Sequence, residues 1–253
     1  MNNNLKLVKN GKRVDGRAFD EVRPLEARVG VLKNTEGSAM FRIGNTLAIA
    51  GVYGPRKVFP KHQEMSEQAI LRVKYNMSPF ATTERGRPGI SRRSTEISMV
   101  IREALVPVVF LEEFPKTAID VHIEVLQADA STRCAGLNAA ALALADAGIP
   151  MRDIVASCSA GKIPVTDSEG NRTGMQAVVD IAGKEDTEGE LDLPIAYYKK
   201  TNELTLLQMD GITKKKEFLD IIKMAVKGCE DIYQVQRSAL KHKYMMETEE
   251  ALR

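Results

Sequence analysis

The chain has no tryptophan, three cysteines among 253 residues and an aromatic content of 5%, and each shortage closes off a class of protein. Cys134, Cys158 and Cys229 are isolated, odd in number and set in apolar or helical surroundings, which supports neither a disulfide framework nor a zinc site. No apolar run reaches the ~18 residues of a membrane-spanning helix. The opening Met-Asn-Asn-Asn-Leu-Lys lacks the apolar region of a signal peptide, so a cytoplasmic protein with no membrane partner is expected. There is no low-complexity segment and no short-period repeat. What remains, with 43% hydrophobic and 28% charged residues, is a globular protein with a sizeable core, in one large domain or two small ones.

An excess of one charge sign is also lacking, since 36 Lys and Arg against 34 Asp and Glu leave a net +2. The total therefore carries no message about nucleic acid, but the distribution does. Residues 84–93 hold Arg85, Arg87, Arg92 and Arg93 against Glu84 alone, whereas residues 185–192 hold Glu185, Asp186, Glu188, Glu190 and Asp192 with no base. One basic and one acidic cluster suit a polyanion held together with a divalent cation.

Strands are predicted at 23–31, at 38–43 and 47–53 as a hairpin through Gly44-Asn45, and at 69–77 and 118–126. Residues 54–68 and 78–90 read as loops. A helix over 91–110 places Arg92 and Arg93 in its first turn, where cations oppose the macrodipole and point instead to an anionic partner. The pattern restarts after a linker at 151–153. Strands at 155–163 and 175–183 flank a turn at 166–173, strands at 191–198 and 203–211 follow, and a long helix carries Phe218, Ile221, Ala225, Cys229 and Ile232 at helical spacing. The class is α/β of the α+β kind, each half being strands covered by a helix.

The stretch on which function turns is 126–148. A strand runs straight into a helix with Ser131 or Thr132 as N-cap, an alanine-rich body and a stop at Gly148 and Pro150. Thr132 and Arg133 thus stand at a helix N-terminus, where unpartnered N–H groups and the macrodipole attract anions and an arginine adds a fork for phosphate oxygens. In the acidic loop, Asp186 and Asp192 lie six apart across Gly189, and an all-oxygen pair of this kind suits Mg²⁺ or Mn²⁺ completed by phosphate.

Several stretches together resemble the RNase PH family, most closely the catalytic ring subunits of archaeal exosomes. They are Asp15-Gly-Arg with Arg23-Pro-Leu, Gly44-Asn-Thr, Val52-Tyr-Gly-Pro, Ser91-Arg-Arg, Ile101-Arg-Glu-Ala-Leu, Ile119-Asp-Val, Leu126-Gln-Ala-Asp, Leu142-Ala-Leu-Ala-Asp-Ala-Gly-Ile-Pro and Gly189-Glu-Leu-Asp-Leu-Pro, in family order. The resemblance implies a fold like domain 2 of ribosomal protein S5, here 18–150, and a second smaller α/β domain at 154–245, between a basic extension (1–17) and a tail (246–253). It implies phosphate-dependent, reversible 3′→5′ shortening of RNA that releases nucleoside 5′-diphosphates. Arg92 and Arg93 resemble the residues that hold the RNA backbone, while Ser131, Thr132 and Arg133 resemble the phosphate-binding set. Asp186 and Asp192 resemble the paired aspartates, as ligands of Mg²⁺ or Mn²⁺ or, for Asp186 first, as donor of a proton to the leaving 3′-oxygen. Lys61 and His62 resemble strand contacts at a ring constriction. Implied partners are single-stranded RNA 3′ ends, a related non-catalytic subunit alternating in a hexameric ring with three copies of each, and RNA-binding caps. Thr132-Arg133-Cys134, in place of the Thr-Arg-Thr of bacterial RNase PH, and the basic extension favour an exosome subunit over a stand-alone tRNA trimmer. A non-catalytic RNA-binding ring subunit is the other alternative. A small-molecule kinase on the same fold would need a Gly/Ser-rich loop before a helix, and none is present.

Overall fold

The computed structural model describes residues 7–9, 11–166 and 172–251. After a short hairpin of β1 (Val8–Lys9) and β2 (Lys12–Arg13), five strands build the first sheet. They are β3 (Leu25–Val29), β4 (Gly37–Ile43), β5 (Thr46–Lys57), β6 (Ile70–Met77) and β7 (Thr117–Gln127), in the order β3-β4-β5-β7-β6. All neighbours are antiparallel except β6 and β7, which are joined by the crossover helix α1 (Arg92–Leu105). Helix α2 (Thr132–Asp146) follows β7. The second sheet is antiparallel throughout: β8 (Val155–Thr166), β9 (Arg172–Val179), β10 (Leu191–Tyr198) and β11 (Glu203–Leu207) run in the order β11-β10-β8-β9, with β12 (Asp210–Gly211) also on β10. A short helix α3 (Lys184–Glu188) joins β9 to β10, and α4 (Lys215–Ala251) ends the described chain.

α1 buries Ile97, Val100, Ile101, Ala104 and Leu105 on one stripe, as the helical period predicts. It stops at Leu105 rather than at residue 110, because Pro107 has no N–H to continue the ladder and the chain passes through two 3-10 turns instead. α2 is different. Thirteen of its fifteen residues are buried, so it has no polar face. It packs on β4, β5 and β7 of the first sheet, on β8 and β10 of the second, and on α4. Small side chains make that possible: a Cβ on Gly37 of β4 would lie 2.2 Å from the Ala147 nitrogen. One hydrophobic cluster therefore runs through both halves, from Phe41 and Ile123 to Ile195 and Ile232.

Several boundaries differ from the sequence expectation. β5 extends through 54–57, and 61–63 form a 3-10 turn. The predicted strand at 23–31 begins at Leu25, Arg23 being drawn into a buried ion pair. Residues 151–153 are no loose linker, since Met151 bridges Val109 and the Arg152 amide donates to the Val108 carbonyl. The strand expected over 203–211 breaks into β11 and β12, and the acidic loop contains α3. The predicted turn at 166–173 falls mostly outside the described residues, as do 1–6 of the basic extension. All three cysteines are buried and free.

Candidate active site

The end of β7 turns into α2 through an unusual bend. Ala130 and Ser131 take φ of 57° and 52°, a left-handed conformation that costs L-residues energy and persists only where neighbours enforce it. Thr46, buried on β5, enforces part of it: its hydroxyl donates to the Ala130 carbonyl at 2.7 Å and accepts from the Asp129 amide at 2.9 Å. Ser131 occupies the cap position, yet it is not the side-chain N-cap that the sequence suggests. Its hydroxyl turns away to Ser159, leaving the first amides of α2 without a side-chain acceptor.

Beside this bend lie two adjoining lobes of one cleft, of about 560 and about 400 Å³. Arg93, Arg133, Asp186, Asp192 and Pro194 line both, and Ser131 and Thr132 line the smaller. The structure thus brings together Arg93, the three residues of the helix start and both aspartates. Ser91 caps α1 through a reciprocal pair with Ser94, which aims the first turn and Arg93 at the cleft. Arg92 is exposed and lies outside the residues that line it. Lys61 and His62 are exposed on the loop between β5 and β6, at the β7 terminus where Lys57 pairs with Thr117. Eleven residues of β7 separate them from the helix start, roughly 33 Å at the rise of a strand.

Charges in the cleft are mutually adjusted. Asp192 is half-buried, and its pKa is pushed up to about 6, first by burial and next by the charge of Asp186, with Arg133 and Arg93 pulling the other way. A divalent cation would relieve that repulsion, and two carboxylate donors suit a magnesium-type ion that keeps waters and takes phosphate oxygens. Among the described residues no three acid, His or Cys side chains cluster to cage a metal by themselves.

Two cleft residues went unnoticed in the sequence. Glu96, one turn on from Arg92 and Arg93, lies 3.5 Å from the Arg133 guanidinium and accepts from Gln208 at 3.3 Å. Asp210 stands opposite Asp192 across β10 and β12. Glu96 was legible as an acid one helical turn beyond a basic pair, while Asp210 depends on strand pairing alone. Asn138, in contrast, is plain support: its amide bonds both the carbonyl and the N–H of Ser157.

Fold and cleft define a two-sheet α+β protein in which a helix start and two arginines face an acidic pair. Its sequence shows which one: the chain belongs to the 3′ exoribonuclease family, matching domain 1 of that family over residues 21–150 and domain 2 over 153–228. It is 56% identical over 242 residues to the exosome complex component Rrp41 of Pyrococcus furiosus, covering 95% of this chain and 93% of that one. Identity to the Rrp41 of Methanopyrus kandleri is 50%, covering 94% and 95%, and to that of Nitrosopumilus maritimus 48%, covering 94% and 93%. The fold is shared with the crystal structure of rice (Oryza sativa) Rrp46, with a TM-score of 0.77 at 22% identity over 90% of this chain and 100% of that one.

Proposed function

We propose that the chain is the catalytic subunit of an exosome-type ring, a phosphorolytic 3′→5′ exoribonuclease working beside a related non-catalytic subunit and under RNA-binding caps. The observation that carries this reading is one cleft that holds Arg93, Thr132, Arg133, Asp186 and Asp192. The naming of the Rrp41 relatives as exosome components supports the assembly.

Inorganic phosphate would rest on the amides at the start of α2 and on Arg133. RNA would lie with its last phosphodiester against Arg93, with Arg92 on the strand further back. One phosphate oxygen forms a bond to the terminal phosphorus as the bond to the preceding 3′-oxygen breaks, releasing a nucleoside 5′-diphosphate. Phosphoryl transfer asks chiefly for alignment and charge neutralisation, which the two arginines supply. Asp186 and Asp192 would hold Mg²⁺ or Mn²⁺, which supplies further neutralisation on phosphate oxygens. The leaving 3′-oxygen needs a proton. One of the two aspartates, Asp186 first, would donate it where it does not hold the cation. Because a phosphoanhydride bond is formed as a phosphodiester bond of similar energy is broken, the step reverses with excess diphosphate and extends RNA.

Incubating the full chain, alone and with a related ring subunit, with single-stranded RNA, Mg²⁺ and phosphate tests the proposal. Nucleoside diphosphates are expected; monophosphates would indicate hydrolysis, and no product in either preparation a non-catalytic ring subunit.

A further inference from the structure

Behind the cleft, and reaching its wall at Glu185, lies a buried ionic cluster. Arg13, Arg17, Arg23, Asp180 and Glu185 are all at most 7% exposed. Asp180 is its centre. Arg23 donates to it from Nε and Nη2, both at 2.7 Å, and from its backbone amide at 2.9 Å, while Arg17 donates at 3.3 Å. Such a cluster is a poor source of stability, since desolvating its charges consumes most of what their attraction returns. What it does supply is fixed geometry, and its contacts reach both sides of the cleft.

On one side, the Ser131 hydroxyl lies 2.8 Å from Ser159 Oγ and, when Ser159 donates that bond, shares its own proton between the Ile181 carbonyl at 3.1 Å and Asp180 Oδ1 at 3.3 Å, while Arg23 Nη1 donates to the Asp129 carbonyl at 2.5 Å. On the other, Arg13 donates to the carbonyls of Val179 and Asp180 at 2.6 and 2.7 Å and pairs with Glu185, whose carboxylate also accepts from the Ala182 amide at 3.1 Å. Glu185 immediately precedes Asp186. Of the five non-glycine residues with positive φ among the described residues, Ala130, Ser131 and Asp180 all sit at this junction. Strain gathered at one place, and held by buried charge, marks a conformation that the surroundings impose.

We propose that Asp180 is a positioning residue for phosphate capture. Held by Arg23 and Arg17, it locks the left-handed Ser131 turn and so sets the start of α2 in register with the acidic loop. Phosphate then meets amides already aligned with Asp186 and Asp192, and the alignment cost is met during folding. This rests on the phosphate-binding role proposed above.

The test uses the full chain, alone and reconstituted with a related ring subunit, with Asp180→Asn, Ser131→Ala and Asp146→Asn. Asp146 is buried at the far end of α2, where it accepts from the Ser38 amide and Lys243, so it controls for lost stability alone. Inorganic phosphate binding is read by calorimetry, and KM for phosphate and for RNA by product release. Asp180→Asn and Ser131→Ala should each weaken phosphate binding about tenfold or more while KM for RNA moves less than about twofold. Asp146→Asn should lower the melting temperature and leave phosphate binding unchanged. Ser131→Ala keeps the ionic cluster, so it reports even if Asp180→Asn does not fold. Unchanged phosphate binding in folded Asp180→Asn or in Ser131→Ala, or equal loss in all three variants, overturns the proposal. A wild type that binds phosphate without releasing diphosphates sinks the phosphorolytic reading and leaves this comparison intact.

Discussion

Asp192 shows how one half-buried carboxylate can lower the stability of the fold that holds it. Its pKa of about 6 in the folded protein compares with an ordinary 3.8, so between those values the folded protein keeps a proton that the unfolded chain has released. Stability through this group is therefore greatest below the lower value and falls as pH rises through the upper one. Asp192→Asn should accordingly stabilise the cation-free protein at neutral pH, by at most about 3 kcal/mol, and make little difference near ~pH 3.5. Thermal melts in chelator at the two pH values check this, and a variant less stable than wild type at neutral pH would contradict it. Among the arginines, the geometry separates two neighbours that look alike in sequence. On the proposed reaction, Arg93→Ala should cost about 10²-fold in turnover, because a group that would lie beside the reacting phosphate is lost. Arg92→Ala should mainly weaken RNA binding and reduce its logarithmic salt slope by about one. Single-turnover rates and salt titrations distinguish the two effects.

At the scale of elements, the aspartates depend on how closely β10 approaches β8. Gly161 faces Asp192 in the register, and a Cβ there would lie 1.9 Å from the Leu191 carbonyl oxygen and 2.4 Å from Ile181. Gly161→Ala should destabilise by about 1–3 kcal/mol, as overpacking does, and displace Asp192 enough to lower turnover as well. Urea midpoints and kcat measured on the same preparations test both parts. The elements themselves were largely readable. Alternation marked β6 and β7, the Gly44-Asn45 turn marked the β4–β5 hairpin, helical spacing marked α1 and α4, and the alanine run marked α2, since these signals are local. Local signals could not show that Ser131 declines to cap its helix, because its partners arrive from elsewhere in the chain, Ser159 from β8 and Asp180 from just past the end of β9. Nor could they show the clustering of Arg13 and Arg23 with Glu185 and Asp180, which are more than 150 residues distant in sequence. The carboxylate in the apolar run Val178-Val179-Asp180-Ile181 was the one visible hint of that cluster.

In the whole molecule, α2 lies within a core to which both sheets and α4 contribute, so neither half has a complete interior of its own. The isolated chain should therefore unfold in one cooperative step, with calorimetric and van't Hoff enthalpies in agreement despite its length. Two separated transitions would show that the halves are stable independently. The full burial of α2 has one more consequence, for how such a chain can change over generations. Asp186 stands exposed on a single turn of helix, whereas nearly every side chain of α2 meets a neighbour on all sides. A duplicated copy could lose its acid with no damage to the fold, but enlarging a residue of α2 would bring down both sheets. Descendants that lost the acid would thus keep the buried body of α2, whereas the partly exposed Arg133 could be lost as freely as Asp186.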